Sequence, residues 1–308
     1  MPMLKSVFYM LSQNESLNRF AQKYSDKLGV NAFVAGTNMK ELGENTRLLN
    51  DKQISVTIDH LGEFVRTNEE ALEAKHNILN ILDYIYEEQL NAHMSIKLTQ
   101  LGLDVSDDVC KSNIIEILTK AEAYRIFINI DMEDYKHVCQ SWKMIEELKE
   151  EFNQFGTVIQ ASLYRTKEDV AENADMRLRI VKGAYKENED ISFSKKKDID
   201  AHYLLLAKEH LLNGYFTSIA THDHKIIKEL QDFIRQNNIS KASFEFQFLY
   251  GFRTDLQASL TQEGYNVCVY MPYGVDWYGY FMRRLAERPK NIMLVIKENM
   301  NKRSVEIK

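Results

Sequence analysis

Cysteine and proline are scarce in this chain of 308 residues. Its three cysteines, Cys110, Cys139 and Cys268, are far apart and form no C-x-x-C pair. This number and spacing exclude a disulfide framework and a cysteine-rich zinc site, and they favour a reducing compartment. Three prolines and no Gly/Ser-rich stretch leave no recognisable linker between domains.

An excess of basic charge is also missing. The chain has 39 Lys and Arg against 45 Asp and Glu, a net charge of −6, so no basic face is expected to bind nucleic acid. No apolar run approaches the ~20 residues that cross a bilayer. The short apolar run at 7–11 lacks a signal-peptide cleavage site. It favours a first helix packed on the body, with membrane-surface contact as the alternative. We therefore expect a cytoplasmic protein.

What the chain does contain is a repeated pattern of short, β-branched apolar runs, each ending in a polar residue. Most are separated by stretches with helical periodicity, such as 68–91 and 135–152. Strands that alternate with helices predict parallel pairing through right-handed crossovers. The candidate strands are 55–59, 94–97, 126–131, 157–160, 178–182, 216–222, 244–247 and 267–270.

Eight strand–helix units predict an α/β fold of the (β/α)8 TIM-barrel type. An open doubly wound sheet is the rival, but it usually brings a G-x-G-x-x-G fingerprint, and the chain has none. We predict an N-terminal helical extension over residues 1–50 and a barrel over 51–308. The charged stretch 186–200 is interpreted as a loop that leads into a helix, or as a mobile lid.

In such barrels the functional residues lie where strands end, because the following loops surround one shared opening. The predicted residues at this rim are Asp59, His60, Lys97, Asp131, Gln160, Lys182, His222 and Tyr270. Several chemistries are compatible with them. Lys97 or Lys182 could form a Schiff base, although an ion pair is the simpler reading. His60, His222 and Asp131 could bind zinc or iron.

The C-terminal part carries a basic and aromatic helical pattern from Trp277 to Arg288. Arg283, Arg284 and Glu287 fall on successive helical turns with Tyr280. Paired guanidinium groups above the opening would bind a carboxylate or a phosphate in a bidentate manner.

Four segments of the chain resemble signature blocks of the proline dehydrogenase family. They are RIVKGAY at 179–185, ATH at 220–222, FEFQFLYG at 244–251 and the run 270–288, in family order. The resemblance extends back to TIDHLGE at 57–63 and is greatest to the monofunctional bacterial enzymes. It implies a distorted (β/α)8 barrel that holds FAD non-covalently and oxidises L-proline to Δ1-pyrroline-5-carboxylate, with a hydride passing to flavin N5.

The resemblance also implies roles at the substrate. Arg283 and Arg284 would bind the carboxylate of proline, with Lys97 beside it. Asp131 would pair with Lys97 and orient the site, and Glu287 would support the arginines. The residues implied to surround the substrate are Tyr270, Tyr280, Leu249 and Tyr185. No metal is implied.

The flavin contacts implied by the resemblance lie on several strands. Arg179 would lie near N5, where its positive charge stabilises the reduced ring. The others are Met132, Gln160, Lys182, Gly183, Ala184, Thr221 and His222. Two positions depart from the family pattern, because Asp223 replaces an asparagine and Lys186 stands where some members have tryptophan. Both departures concern the adenylate end of FAD.

The family resemblance implies a quinone as electron acceptor, and hence transient contact with the inner face of the membrane. Two rival functions stay open. One is a metal-dependent barrel hydrolase that uses His60, His222 and Asp131. The other is a sensor barrel that binds flavin or proline without turnover.

Overall fold

The computed structural model describes residues 33–62, 65–280 and 282. Eight strands form a closed barrel in sequence order. They are β1 (Ser55–His60), β2 (Ala92–Lys97), β3 (Ile128–Asp131), β4 (Phe155–Gln160), β5 (Arg177–Val181), β6 (Phe216–Ala220), β7 (Phe244–Leu249) and β8 (Val267–Tyr273).

Helices follow or precede these strands around the outside of the barrel. They are α1 (Met39–Asn50), α2 (Asn68–Glu87), α3 (Asp107–Tyr124), α4 (Tyr135–Lys149), α5 (Thr166–Glu172), α6 (Lys196–Asn213), α7 (His224–Gln236) and α8 (Thr254–Gln262). Short 3-10 turns occur at Thr99–Leu101 and Lys241–Ser243. The loop after β5 leads into α6, as the charge pattern predicted.

Closure of the barrel joins the first strand to the last. The parallel register between β1 and β8 runs from Ser55 opposite Cys268 to His60 opposite Tyr273. All other neighbouring strands are also parallel. The predicted (β/α)8 barrel is therefore confirmed. The largest difference between a predicted and an observed strand is in β8, which ends at Tyr273, three residues after the predicted end at Tyr270.

Alternation along the strands separates an apolar outer layer from a polar interior. In β1, Val56 and Ile58 are fully buried between the sheet and the helices. Thr57 and Asp59 have the opposite orientation and contact Arg179 and Lys97 in the barrel interior. Burying one such aliphatic side chain contributes about 1.5 to 3 kcal/mol, so the outer layer supplies much of the stability.

Side-chain caps fix where several helices start. The Thr67 hydroxyl accepts a hydrogen bond from the amide of Glu70 before α2, and Ser106 caps α3 in the same manner. In α7, Ile226, Ile227, Leu230 and Ile234 recur at helical spacing and are buried. These caps and buried faces fix the helices against the outside of the barrel.

The domain boundary at residues 50 and 51 stays a prediction. Residues 39–50 are helical, as α1, and Asn38 caps this helix through the amide of Glu41. The run at 7–11 lies outside the described residues. Within the described ranges, no helix has both the length and the apolar composition needed to cross a bilayer.

Candidate active site

A network of charged side chains lies inside the barrel, near the ends of strands β1, β2 and β3 and at the middle of β5. Asp131 is at its centre, on the last residue of β3. Its Oδ1 accepts a hydrogen bond from Nη1 of Arg179 at 2.7 Å, and its Oδ2 accepts one from the hydroxyl of Tyr270 at 2.7 Å. Both Asp131 and Arg179 are buried. Such a charge pair is favourable only when further hydrogen bonds complete it.

Lys97 joins this network mainly through a residue other than the predicted one. Its Nζ is 2.7 Å from Oδ1 of Asp59 and 3.7 Å from Oδ2 of Asp131. The predicted contact with Asp131 is thus the longer of two, and Asp59 provides the shorter. The sequence pattern places Asp59 at the rim but predicts no function for it. Its position near the end of β1, the strand beside that of Lys97, is the feature of the sequence that indicates this contact.

Tyr270 completes the network from β8. Burial, and then the charges of Asp131 and Asp59, hold the pKa of this phenol well above its usual value, so it stays protonated and donates to Asp131. The guanidinium carbon of Arg179 lies 5.2 Å from the centroid of the Tyr270 ring, a cation–π arrangement. The site therefore presents an aromatic ring whose hydroxyl is directed into the charged interior.

One donor of this network has no acceptor in the described part of the chain. Nε of Arg179 is buried and makes no hydrogen bond to a described residue, while Nη1 binds Asp131 and Nη2 lies 3.4 Å from Thr57. A buried donor without a partner costs about 1 to 3 kcal/mol. A bound group with an acceptor at this point, such as the nitrogen or oxygen edge of a flavin ring, would satisfy it.

The loop after β5 packs closely against the end of β4 and the loop that follows it. Gly183 has φ +101°, and a Cβ there would lie 2.2 Å from Oγ of Ser162. The amide of Ser162 also donates to the carbonyl of Lys182. Only glycine fits this backbone without strain. The sequence pattern does not predict Ser162, because this residue follows β4 and belongs to none of the segments that resemble the family.

The other residues predicted from the resemblance lie around the same rim. Gln160 ends β4, and its amide donates to the carbonyl of Glu133 at 2.7 Å. Met132 is buried directly after Asp131, whereas Ala184 is exposed and Tyr185 is partly buried. Glu133 was not predicted; its carboxylate accepts from the amide and hydroxyl of Thr99 and so ties the loops after β2 and β3 together.

His222 links the ends of β6 and β7. Its Nε2 accepts a hydrogen bond from the amide of Leu249 at 3.0 Å. The imidazole is parallel to the rings of Phe248 and Phe252, with centroids 5.9 Å and 5.2 Å away. The hydroxyl of Thr221 accepts from the amide of Asp223. Thr221 and His222 therefore reach the rim with their orientations fixed by backbone contacts.

An apolar cluster lies above the rim. Tyr280 is buried in it with Trp277 and Tyr278, and Leu249 packs against it. Its other members are Phe33, Val34, Leu61, Phe252 and Met282. This cluster would keep water away from the charged network. Arg283, Arg284 and Glu287 lie outside the described residues, so their predicted contacts stay predictions.

The three residues of the metal-hydrolase alternative are not grouped closely enough to share a metal ion. His60 lies 3.3 Å from the amide nitrogen of Gln100, and Asp131 and His222 have the partners given above. Burial, and then the charge of Lys97, lower the pKa of His60 to about 4. The two lysines considered for a Schiff base are both ion paired, Lys97 with Asp59 and Lys182 with Asp200.

A second polar layer fills the opposite end of the barrel. Among the described residues, the one group of three side chains close enough to share a metal ion is His93, Glu245 and Cys268. However, Oε1 of Glu245 already accepts hydrogen bonds from Arg177, Ser218 and Gln247 at 2.6–2.8 Å. This carboxylate is therefore part of a buried ion pair.

The chain is similar to known proteins over most of its length. The family model described as proline dehydrogenase matches residues 42–293. The chain is 42% identical to Proline dehydrogenase 1 of Bacillus subtilis strain 168 over 302 residues, covering 97% of this chain and all of the relative. It is 38% identical to the Proline dehydrogenase of Deinococcus radiodurans, covering 86% of this chain and 87% of that protein.

A solved structure shares the fold. Proline utilization A from Bdellovibrio bacteriovorus, in a crystal structure of the protein inactivated by N-propargylglycine, is similar with a TM-score of 0.81 at 22% identity. The similarity covers 94% of this chain and 37% of that much longer one.

Proposed function

This chain belongs to the proline dehydrogenase family, and we propose that it oxidises L-proline to Δ1-pyrroline-5-carboxylate with non-covalently held FAD. In this reaction a hydride leaves the ring carbon bonded to nitrogen and the amine loses a proton, so that a C=N bond forms. The flavin would accept the hydride at N5 and pass the electrons to a quinone. The observation that carries the proposal is the Asp131–Arg179–Tyr270–Lys97 network at the barrel opening of a chain from this family.

At the substrate, the chain's charges would bind and orient proline. We propose that Arg283 and Arg284 bind its carboxylate, with the ammonium of Lys97 beside them. Asp131 would act by positioning, because it holds both Arg179 and Tyr270 at 2.7 Å. Tyr185, Tyr280 and Leu249 would surround the ring of proline and exclude water.

At the cofactor, two features of the rim fit a flavin dinucleotide. Nε of Arg179, which has no hydrogen-bond partner among the described residues, offers a buried donor to the ring system, and the loop that carries Lys182 and Ala184 is held against Ser162 at Gly183. We propose that Lys182, Gly183 and Ala184 contact the ribityl and phosphate groups. Met132, Gln160, Thr221 and His222 would be further contacts to the flavin.

The experiment that tests this proposal is the visible spectrum of the purified protein before and after anaerobic addition of L-proline. We expect flavin absorbance that bleaches with proline, which would identify cofactor, substrate and redox reaction together. A yellow protein that does not bleach would contradict proline oxidation and favour the sensor. A colourless protein that does not bind added FAD would contradict the flavin.

We propose a cytoplasmic enzyme that reaches a quinone through transient contact with the inner face of the membrane. Proline-dependent reduction of a short-chain quinone, followed optically, tests the acceptor. Co-sedimentation of the reduced enzyme with anionic lipid vesicles tests the contact. Reduction of the quinone without vesicle binding would support the acceptor and contradict the membrane contact. No nucleic acid partner is proposed.

A further inference from the structure

Four charged side chains form a compact group at the rim between β5 and β6. Nζ of Lys182 lies 2.5 Å from Asp200 and 3.5 Å from Asp223. Nζ of Lys196 contacts the same two carboxylates and lies 3.3 Å from Asp223. Two ammonium groups and two carboxylates sum to zero charge, so the group offers an incoming anion no net attraction.

Asp223 also occupies the start of helix α7. It is the N-cap residue, and its Oδ1 accepts a hydrogen bond from the amide of Lys225 at 3.1 Å. A helix N-terminus carries partial positive charge and favours phosphate or carboxylate groups. At this rim the Asp223 carboxylate already takes that position.

Asp223 is negatively charged at neutral pH. Burial alone would raise its pKa, but the amide of Lys225 and the charges of Lys182 and Lys196 outweigh burial and lower the pKa to about 2. The side chain is only about one-fifth exposed. Its charge is therefore incompletely screened by water and would act on any group that approaches Lys182.

We propose that Asp223 is an internal competitor for the phosphate groups of the bound dinucleotide, holding Lys182 and Lys196 until the cofactor displaces it. This inference rests on the proposed binding of FAD. It makes Asp223 a determinant of how tightly the cofactor is retained. The residue lowers affinity by repelling the diphosphate and by occupying the cations and the helix terminus that would otherwise receive it.

The test is the substitution Asp223→Asn in the full chain freed of cofactor. Asparagine is as good an N-cap as aspartate, so α7 should be preserved while one negative charge is lost. We expect FAD to bind about five- to tenfold more tightly, measured by quenching of flavin fluorescence on titration. The gain should shrink at about 0.3 M salt, where the charges are screened.

Asp232→Asn is the matched control. It makes the same change of charge on the same helix, at a half-exposed position where Asp232 pairs with Lys228 and Arg235. FAD affinity should equal that of the unsubstituted protein. Circular dichroism and the thermal midpoint should show that both variants fold.

Two results would contradict the inference in distinguishable ways. If the unsubstituted protein binds FAD and Asp223→Asn binds it equally or more weakly, Asp223 is not a competitor and the proposed function stands. If neither protein binds FAD, both the proposed binding of flavin and this inference are wrong.

Discussion

Tyr270 and Asp131 share a hydrogen bond of 2.7 Å although they lie on β8 and β3, strands that are not neighbours in the barrel. The bond crosses the interior. It couples an aromatic ring to the carboxylate that also holds Arg179 at 2.7 Å. One carboxylate therefore sets the positions of a cation and an aromatic ring, and changes on either side of it should have different consequences.

Removing the hydroxyl in Tyr270→Phe should leave Asp131 with Arg179 as its main partner while keeping the ring. We expect kcat/KM for proline to fall about tenfold, because the loss of a buried hydrogen bond costs about 1 to 1.5 kcal/mol and loosens the ring. The FAD content of the purified variant should be unchanged. Steady-state kinetics and the flavin-to-protein absorbance ratio measure these two quantities.

Tyr164→Phe provides the control for this change. Tyr164 is exposed, and its hydroxyl donates to the carbonyl of Glu189 at 2.9 Å, away from the charged network. This variant should keep both kcat/KM and FAD content. An unchanged kcat/KM in Tyr270→Phe would show that its hydroxyl does not position the site.

Adding a methyl group at Gly183 should strain the loop that follows β5. In Gly183→Ala the new Cβ would meet Oγ of Ser162 at 2.2 Å, at a φ of +101° that L-residues rarely adopt. We expect the free energy of unfolding to fall by about 2 kcal/mol. FAD affinity should fall as well, because the displaced loop carries the proposed FAD contacts Lys182 and Ala184. Urea denaturation and FAD titration measure the two effects.

Gly264→Ala separates backbone strain from steric overlap. Gly264 has φ +76°, but the nearest atom to its added Cβ is the mobile Nζ of Lys241 at 3.5 Å. Its loss of stability should be about 1 kcal/mol. The pair Gly183→Ala with Ser162→Ala should recover part of the loss. Equal losses at the two glycines would refute the steric argument.

Stability should decrease in mild acid because of buried histidines. Burial, and then the charge of Arg177, lower the pKa of His93 to about 3, and burial lowers that of His210 to about 4. The unfolded chain, with histidine near pH 6.5, binds more protons than the folded one below that value, so stability falls as pH falls from 6.5 towards 4.

His93→Gln tests this dependence. Between pH 7 and pH 5 the unsubstituted protein should lose about 2 kcal/mol more unfolding free energy than the variant. Urea denaturation at the two pH values measures the difference. His224→Gln, at an exposed position, should follow the unsubstituted protein. Parallel pH profiles for His93→Gln and the unsubstituted protein would contradict the assignment.

The barrel could be predicted because each of its strands is recognisable from a short stretch of sequence. Each strand is a short β-branched run of its own, and strand ends meet at one rim in any closed parallel barrel. The ion-pair partners were not predictable in this way. In register Lys97 lies opposite Asp131, yet its long side chain leans to Asp59 on the other neighbouring strand. Barrel geometry and the length of the lysine side chain decide which carboxylate it contacts, and the spacing of residues in the sequence indicates neither.

Contacts between loops were likewise beyond the sequence. The resemblance predicted Gly183, but the reason that glycine is needed there is Ser162, 21 positions earlier in the chain. Asp223 stood out as a departure from the family pattern. Its pairing with Lys182 and Lys196 depends on how the loops after β5 and β6 fold over the rim.

The predicted carboxylate contact of Arg284 can be tested by Arg284→Ala, although the residue lies outside the described part of the chain. Loss of a bidentate guanidinium–carboxylate contact should weaken proline binding by about 2 to 4 kcal/mol. FAD content should be unchanged, since this role concerns the substrate alone. The apparent proline affinity from steady-state kinetics measures the effect.

Arg235→Ala removes a guanidinium of the same kind from the exposed surface of α7, where it pairs with Asp232. It should leave proline affinity unchanged, because its charge is solvated and its helix terminates away from the rim. A normal proline affinity in Arg284→Ala would assign the carboxylate to other cations. Lys97, held between Asp59 and Asp131 inside the barrel, would then be the first to substitute.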